Sequence, residues 1–104
     1  MIDFAQVSTA ADSRETALSL LNSAVKARLA ASGHVFGPVP TAFWHLGEFG
    51  AGEEWRVVLN TTMERYEELE EHLIAAHPWD APEVSFTCLG GSRAYMEWVS
   101  RTTS

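Results

Sequence analysis

Apolar and polar side chains alternate from Ile2 to Ser8, with Ile2, Phe4 and Gln6 on one side of an extended chain and Ala5 and Val7 on the other. A two-residue period is that of a β-strand. The period then changes: Leu18, Leu21, Val25 and Leu29 recur at helical spacing behind Asp12 and Glu15. Acids three apart satisfy amide donors at a helix start, and Ser32-Gly33 supplies a stop, so a helix is predicted over about 13–31. Residues 33–47 read as extended, bent at Gly37-Pro38-Val39-Pro40, where proline removes backbone donors and predicts a bulge or an edge. Gly47, Gly50 and Gly52 predict a flexible hairpin connection over 48–52 into a strand over 53–62, in which Trp55, Val57 and Leu59 alternate with Arg56, Val58 and Asn60. Thr61, three residues ahead of Glu64, predicts a second capped helix with Tyr66, Leu69, Leu73 and Ile74 buried, ending at His77-Pro78. A last strand over 83–89 leads through Gly90-Gly91-Ser92 into a short helix bearing Tyr95, Trp98 and Val99 on one side.

Strand, helix, two hairpin strands, helix, strand and short helix is the split βαβ order of an α+β, ferredoxin-like fold, with helices on one face of an antiparallel sheet. Aromatic residues on the other face must meet water or a partner, which predicts association. The 104 residues, 46% of them hydrophobic, suit a single domain over 1–104. Seven Lys+Arg against fourteen Asp+Glu leave a net charge of −7, a field that repels phosphate backbones and anionic lipid, so neither nucleic acid nor a membrane is expected as a partner. The first residues lack a basic start, and no stretch reaches the roughly 18 apolar residues of a membrane span, so a cytoplasmic location is expected. Cys88 is alone and can close no intrachain disulfide or thiolate-rich zinc site.

Asn60-Thr61-Thr62, then His77-Pro78-Trp79-Asp80-Ala81-Pro82-Glu83, then Gly91 with Tyr95 and Trp98 resemble the CutA divalent-cation tolerance family. Thr9-Ala10 with Asp12, Leu29-Ala30-Ala31, and Phe43-Trp44-His45-Leu46-Gly47 fall in the family's order at nearly its spacing. The resemblance implies a homotrimer of ferredoxin-like subunits, similar to the PII signalling proteins, with clefts between neighbours and weak binding of a divalent metal (copper or zinc) or a small-molecule ligand. There are departures. His45 stands where the family carries an aromatic residue, Asn60 where it carries a cleft lysine, and Thr87-Cys88 where it carries an apolar-proline pair. Ser8, Ser32 and His72 occupy the positions of the cysteines that some members use for copper.

His45 can act as a general acid or base near neutral pH, or ligate a metal; packing or surface hydrogen bonding is its simpler role. Opposite residue 55 it would share a face with Trp55, and one step of slip would place it beside Arg56. Phe43, Trp44, His45, Arg56 and Asn60 together would give an aromatic-walled small-molecule cleft, with Asn60 either touching a ligand or capping the next helix. Glu83, Tyr95 and Trp98 match family positions toward the subunit boundary and complete the list of candidate ligand-cleft residues, although interface packing is their simpler role and Glu83 can pair with Arg56 or Arg93. Glu64, Glu68 and His72 share one helix face and could contact a divalent ion, against the plainer reading of a solvated acidic face. Cys88 reads as a small buried residue. Three functions follow: a trimeric binding protein; an enzyme recruited from that scaffold, cyclising or isomerising a small molecule in the inter-subunit cleft with His45 as acid or base and Asn60 and Arg56 orienting it; or a trimeric scaffold for a partner protein.

Overall fold

The computed structural model describes residues 3–104. Strand β1 (Phe4–Ala11) enters helix α1 (Arg14–Lys26), the hairpin β2 (Ser32–His45) and β3 (Glu48–Thr62) follows, and α2 (Met63–Ala76), β4 (Ser85–Cys88) and α3 (Arg93–Thr102) complete the chain. The four strands form one antiparallel sheet in the order β2-β3-β1-β4, the ferredoxin-like arrangement. Ile2, the predicted first residue of β1, lies outside the described residues.

Side chains alternate across the sheet and so divide it into two faces. Ala5, Val7 and Thr9 of β1 and Val57, Leu59 and Thr61 of β3 are fully buried against Ala17, Leu20 and Ala24 of α1 and Leu69 and Leu73 of α2. Each of these leucines contributes about 1.5–3 kcal/mol by leaving water. The predicted α1 stripe is thereby shifted: Leu21 and Val25 only flank the core, because the small Ala17 and Ala24 let the helix sit close to the sheet. On α2, Ile74 is exposed, turned off the side that carries Leu69 and Leu73.

Helix boundaries follow local hydrogen bonding. Ser13, not Asp12, caps α1, its hydroxyl accepting from the Thr16 amide at 3.1 Å. The helix stops at Lys26, short of the predicted residue 31, because Arg28 turns left-handed (φ 61°). The Leu29 amide then reaches the Ala24 carbonyl and the Arg28 amide the Val25 carbonyl, a double closure that satisfies the last carbonyls. Thr61 caps nothing. Its hydroxyl donates to the Leu29 carbonyl at 2.7 Å, and Thr62 occupies the cap position of α2 without a side-chain bond; the Met63 amide goes to the Asp3 carbonyl instead.

The hairpin differs most from expectation. Its turn is only Leu46-Gly47, both with positive φ (51° and 79°), the two-residue geometry that matches strand twist. His45 therefore faces Glu48, and Trp44 faces Phe49; neither Trp55 nor Arg56 is opposite His45. Gly50 and Gly52 lie inside β3, not in a loop, and a Cβ on Gly50 would fall 2.6 Å from the Phe43 ring. The predicted irregularity at Gly37-Pro38 is present as a shift of register between Phe36 and Val39. Cys88 is exposed, contrary to its expected burial, because β4 is an edge strand whose four residues all lie in the open.

Candidate functional site

The β2–β3 hairpin runs on past Ala11 opposite Trp55, the last β1–β3 pair, as an arm, and the segment joining α2 to β4 lies along the same cleft as that arm. The cleft measures about 1070 Å³, and its lining includes Phe43, His45, Arg56 and Glu83. Arg56 and Glu83 form its fixed polar centre. Nη1 of Arg56 donates to Glu83 Oε1 and to Glu54 Oε2, each at 2.8 Å, and Nη2 donates to Glu83 Oε2 at 3.0 Å. The Ser85 hydroxyl donates to Glu83 Oε2 at 2.9 Å. Hydrogen bonding from Arg56 holds the Glu83 carboxyl below its ordinary range against the opposing effect of burial, and Ser85 assists. The bond to Glu83 likewise makes Arg56 hold its proton more tightly than a solvated guanidinium, again against burial.

One wall of the cleft is Pro78, Trp79, Asp80 and Ala81, and His77 fixes where that wall stands. The Trp79 amide donates to His77 Nδ1 at 3.2 Å, so Nδ1 is the acceptor and Nε2 carries the proton given to the Ala10 carbonyl at 2.6 Å. The Trp79 indole lies against the imidazole, ring centroids 4.7 Å apart. A buried histidine bonded through both nitrogens thus ties the end of α2 to β1 and sets Trp79 at the cleft. Phe43, seated over Gly50, lines the cleft on the hairpin side.

Other candidate residues lie elsewhere. Asn60 is four residues from Arg56 on the same strand face, about 13 Å away at strand rise. Its amide nitrogen donates to the Tyr95 hydroxyl at 2.8 Å and to Ser32 Oγ at 3.5 Å, and its oxygen accepts from Gln6 Nε2 at 3.3 Å. Asn60 ties α3 to the sheet, and neither it nor Tyr95 lines the cleft. Trp98 packs beside Tyr95 with centroids 5.9 Å apart. Trp44 turns to the other side of the arm, edge-on to Phe49 at 5.9 Å.

The metal trio is not assembled. Glu68 pairs with Arg65 at 3.0 Å, and Nε2 of His72 bonds the Ser23 hydroxyl at 2.9 Å, so both are already partnered. Among the described residues no three His, Cys, Asp or Glu side chains are grouped to hold an ion. The residues present do not fit a resident copper or zinc.

Sequence reading passed over Asp12 and the Trp79-Asp80 pair as cleft residues. Asp12 looked like a helix cap; with Ser13 capping α1, its carboxylate is left at the cleft. The signal for Trp79 and Asp80 was an aromatic and an acid directly after a helix-ending His-Pro.

A ferredoxin-like α+β chain with an acidic, aromatic-walled cleft beside its hairpin is the class that fold and site define. Residues 5–102 match the family described as CutA1 divalent ion tolerance protein, and the chain belongs to that family. It is 32% identical over 91 residues to the chloroplastic protein CutA of Arabidopsis thaliana, covering 86% of this chain and 50% of that protein. It is 28% identical over 92 residues to the divalent-cation tolerance protein CutA of Thermus thermophilus, covering 88% and 89%. The chain spans about half the length of the two plant relatives it matches. The solved structure of CutA from Synechococcus elongatus superposes with a TM-score of 0.92 at 26% identity, covering 100% of this chain and 93% of that one. Among the described residues no helix is long and apolar enough to cross a membrane.

Proposed function

We propose that residues 1–104 act as one domain of this family, assembled as a homotrimer, whose cleft between the hairpin arm and the 77–83 segment binds a small ligand. The observation that carries the reading is that Phe43, His45, Arg56, Glu83 and Trp79 all line one cleft. A few polar groups on an aromatic wall are the usual make-up of a ligand site. Assembly is supported by the arm, where Trp44 is 74%, Leu46 90% and Phe49 66% exposed, an apolar surface that a second copy would cover. Divalent cations, which the names of relatives mention, enter as weak ligands of the carboxylates around the cleft, without a built coordination shell. A cytoplasmic location accords with the lone exposed thiol of Cys88, which stays reduced there; fractionation of cells tests it.

Sedimentation of the full chain, followed by calorimetric titration with copper, zinc and a panel of metabolites, tests the reading. A trimer that takes up a ligand, and loses it on Trp79→Ala, is the expected result. A folded single chain, or silence across the panel at high micromolar concentration, overturns it. Catalysis is a second reading, favoured only by His45 lining the cleft, at the end away from Arg56: it pairs with Glu48, eight residues along β3 from Arg56, about 26 Å at strand rise; Asn60, held by Tyr95, takes no part in it. If a His45→Ala trimer turned over the bound ligand at the full rate, His45 would leave the mechanism.

A further inference from the structure

We propose that His77 is a proton-operated latch, in which a second proton on the imidazole frees the backbone beyond Pro78 while α2 stays tied to β1. The latch lies inside one chain and does not depend on what the cleft binds.

Both ring nitrogens of His77 are in use, in unlike ways. The Trp79 amide can only donate, so Nδ1, 3.2 Å away, turns a lone pair toward it. The Ala10 carbonyl can only accept, so Nε2, 2.6 Å away, carries the proton. Two backbone groups thereby select one tautomer of the neutral ring. His77 is 7% exposed within its own chain, so neither bond waits on a neighbouring copy.

An imidazolium has two N–H groups and no acceptor. The second proton goes to Nδ1, where it points at the Trp79 N–H, and that bond is lost. The bond from Nε2 is kept and becomes charge-assisted. The main chain of His77 is held too, its amide donating to the Leu73 carbonyl at 3.0 Å, and the ring of Pro78 fixes the next φ. What gives way is the chain beyond, residues 79–84, which belongs to no helix or strand. The ionisable groups on the surrounding elements are Glu70 of α2, Asp12 past β1, Asp80 and Glu83 of the segment itself, and Glu54 and Arg56 of β3. None of them forms an ion pair with His77 among the described residues, and Glu54 and Glu83 are already bonded to Arg56. The Trp79 indole, its centroid 4.7 Å from that of the imidazole, attracts a cation, so the ring contact survives while the amide lets go. Acid therefore loosens the cleft wall of Pro78, Trp79, Asp80 and Ala81 at one defined bond.

The test follows the assembled full-length protein, labelled with nitrogen-15, by NMR from about pH 8 to about pH 5, the interval in which histidines change charge. At the upper end the His77 nitrogens should report a protonated Nε2 and a bare Nδ1. As the second proton arrives, the Trp79 amide resonance should move with the same midpoint. Its exchange with solvent, corrected for the intrinsic effect of pH, should quicken about fivefold, the size of one ordinary hydrogen bond. His77→Gln, whose side chain can still donate to the Ala10 carbonyl but does not titrate, should show no such step. If that variant does not fold, the two midpoints in the wild type decide alone. A Trp79 amide that keeps its resonance and protection while His77 titrates would overturn the latch. So would a proton on Nδ1 at the upper end, a His77 that stays neutral throughout, a step that persists in His77→Gln, or loss of the whole fold in the same step.

Discussion

Two buried threonines should respond to the same substitution in opposite directions. Thr9 on β1 and Thr61 on β3 both face the helices and are both fully buried. The Thr61 hydroxyl donates to the Leu29 carbonyl at 2.7 Å, whereas Thr9 Oγ1 is the one buried side-chain polar atom among the described residues without a hydrogen-bond partner. A hydroxyl buried without a partner costs about 1–3 kcal/mol on the scale of protein mutational data. Thr9→Val replaces it with a methyl group of similar volume and should therefore stabilise the fold by about 1–3 kcal/mol. At about 4–8 °C per kcal/mol for a domain of this size, the thermal midpoint should rise by at least about 4 °C. Thr61→Val removes a satisfied donor and strands the Leu29 carbonyl, so it should destabilise by about 1–3 kcal/mol. Urea and thermal unfolding at one fixed protein concentration, which assembly requires, measure both. A Thr9→Val protein no more stable than the wild type would refute the reasoning, and equal losses in both variants would show that hydroxyl pairing does not distinguish the two sites.

Glu83, whose carboxyl is held below its ordinary range by Arg56, contributes stability that is present above the unfolded carboxylate pKa and lost as pH falls through the lower folded value. The stability of Glu83→Gln relative to wild type should therefore converge with it in acid and diverge toward neutrality, as read from urea midpoints across pH. Burial and, secondarily, the Glu70 carboxylate push the Tyr66 phenol up to about 12. Its contribution is then complete below the ordinary tyrosine pKa and disappears as pH rises toward 12; ultraviolet titration should show a late tyrosinate that Tyr66→Phe removes. His77→Ala leaves the Ala10 carbonyl and the Trp79 amide unpaired, for a loss of about 1–3 kcal/mol. The same variant should shift Trp79 emission toward that of a solvated indole, and unchanged emission would deny His77 its role in setting the cleft wall.

The elements themselves were legible in local pattern. The alternation of Trp55, Val57 and Leu59 with Arg56, Val58 and Asn60 requires only the period of a strand, and β3 carries it. The helix end at His77-Pro78 follows from steric exclusion of helical backbone before proline, and α2 stops there. The ferredoxin-like topology followed from the order of elements and the scarcity of ways to close such an order into a single sheet. Boundaries were less legible, because they are settled by competing hydrogen bonds: Asp12 and Ser13 are both good caps, and nothing in the spacing shows that Ser13 takes the Thr16 amide. Arg28 bears no local sign of its left-handed backbone.

The candidate site divides along the same line. The sequence alone determined which chemistry was on offer, because acids, aromatics and a single strand arginine keep their character in any fold. It also determined which side of β3 Arg56 would share with Asn60, because alternation is a property of the backbone. Only the tertiary structure decided which of those residues meet. A two-residue turn at Leu46-Gly47 places His45 against Glu48, and Arg56 takes Glu83 from 27 positions away while Asn60 on the same face goes to Tyr95. Register and long-range pairing depend on the free energy of the whole packed chain, a sum over contacts that no local window contains.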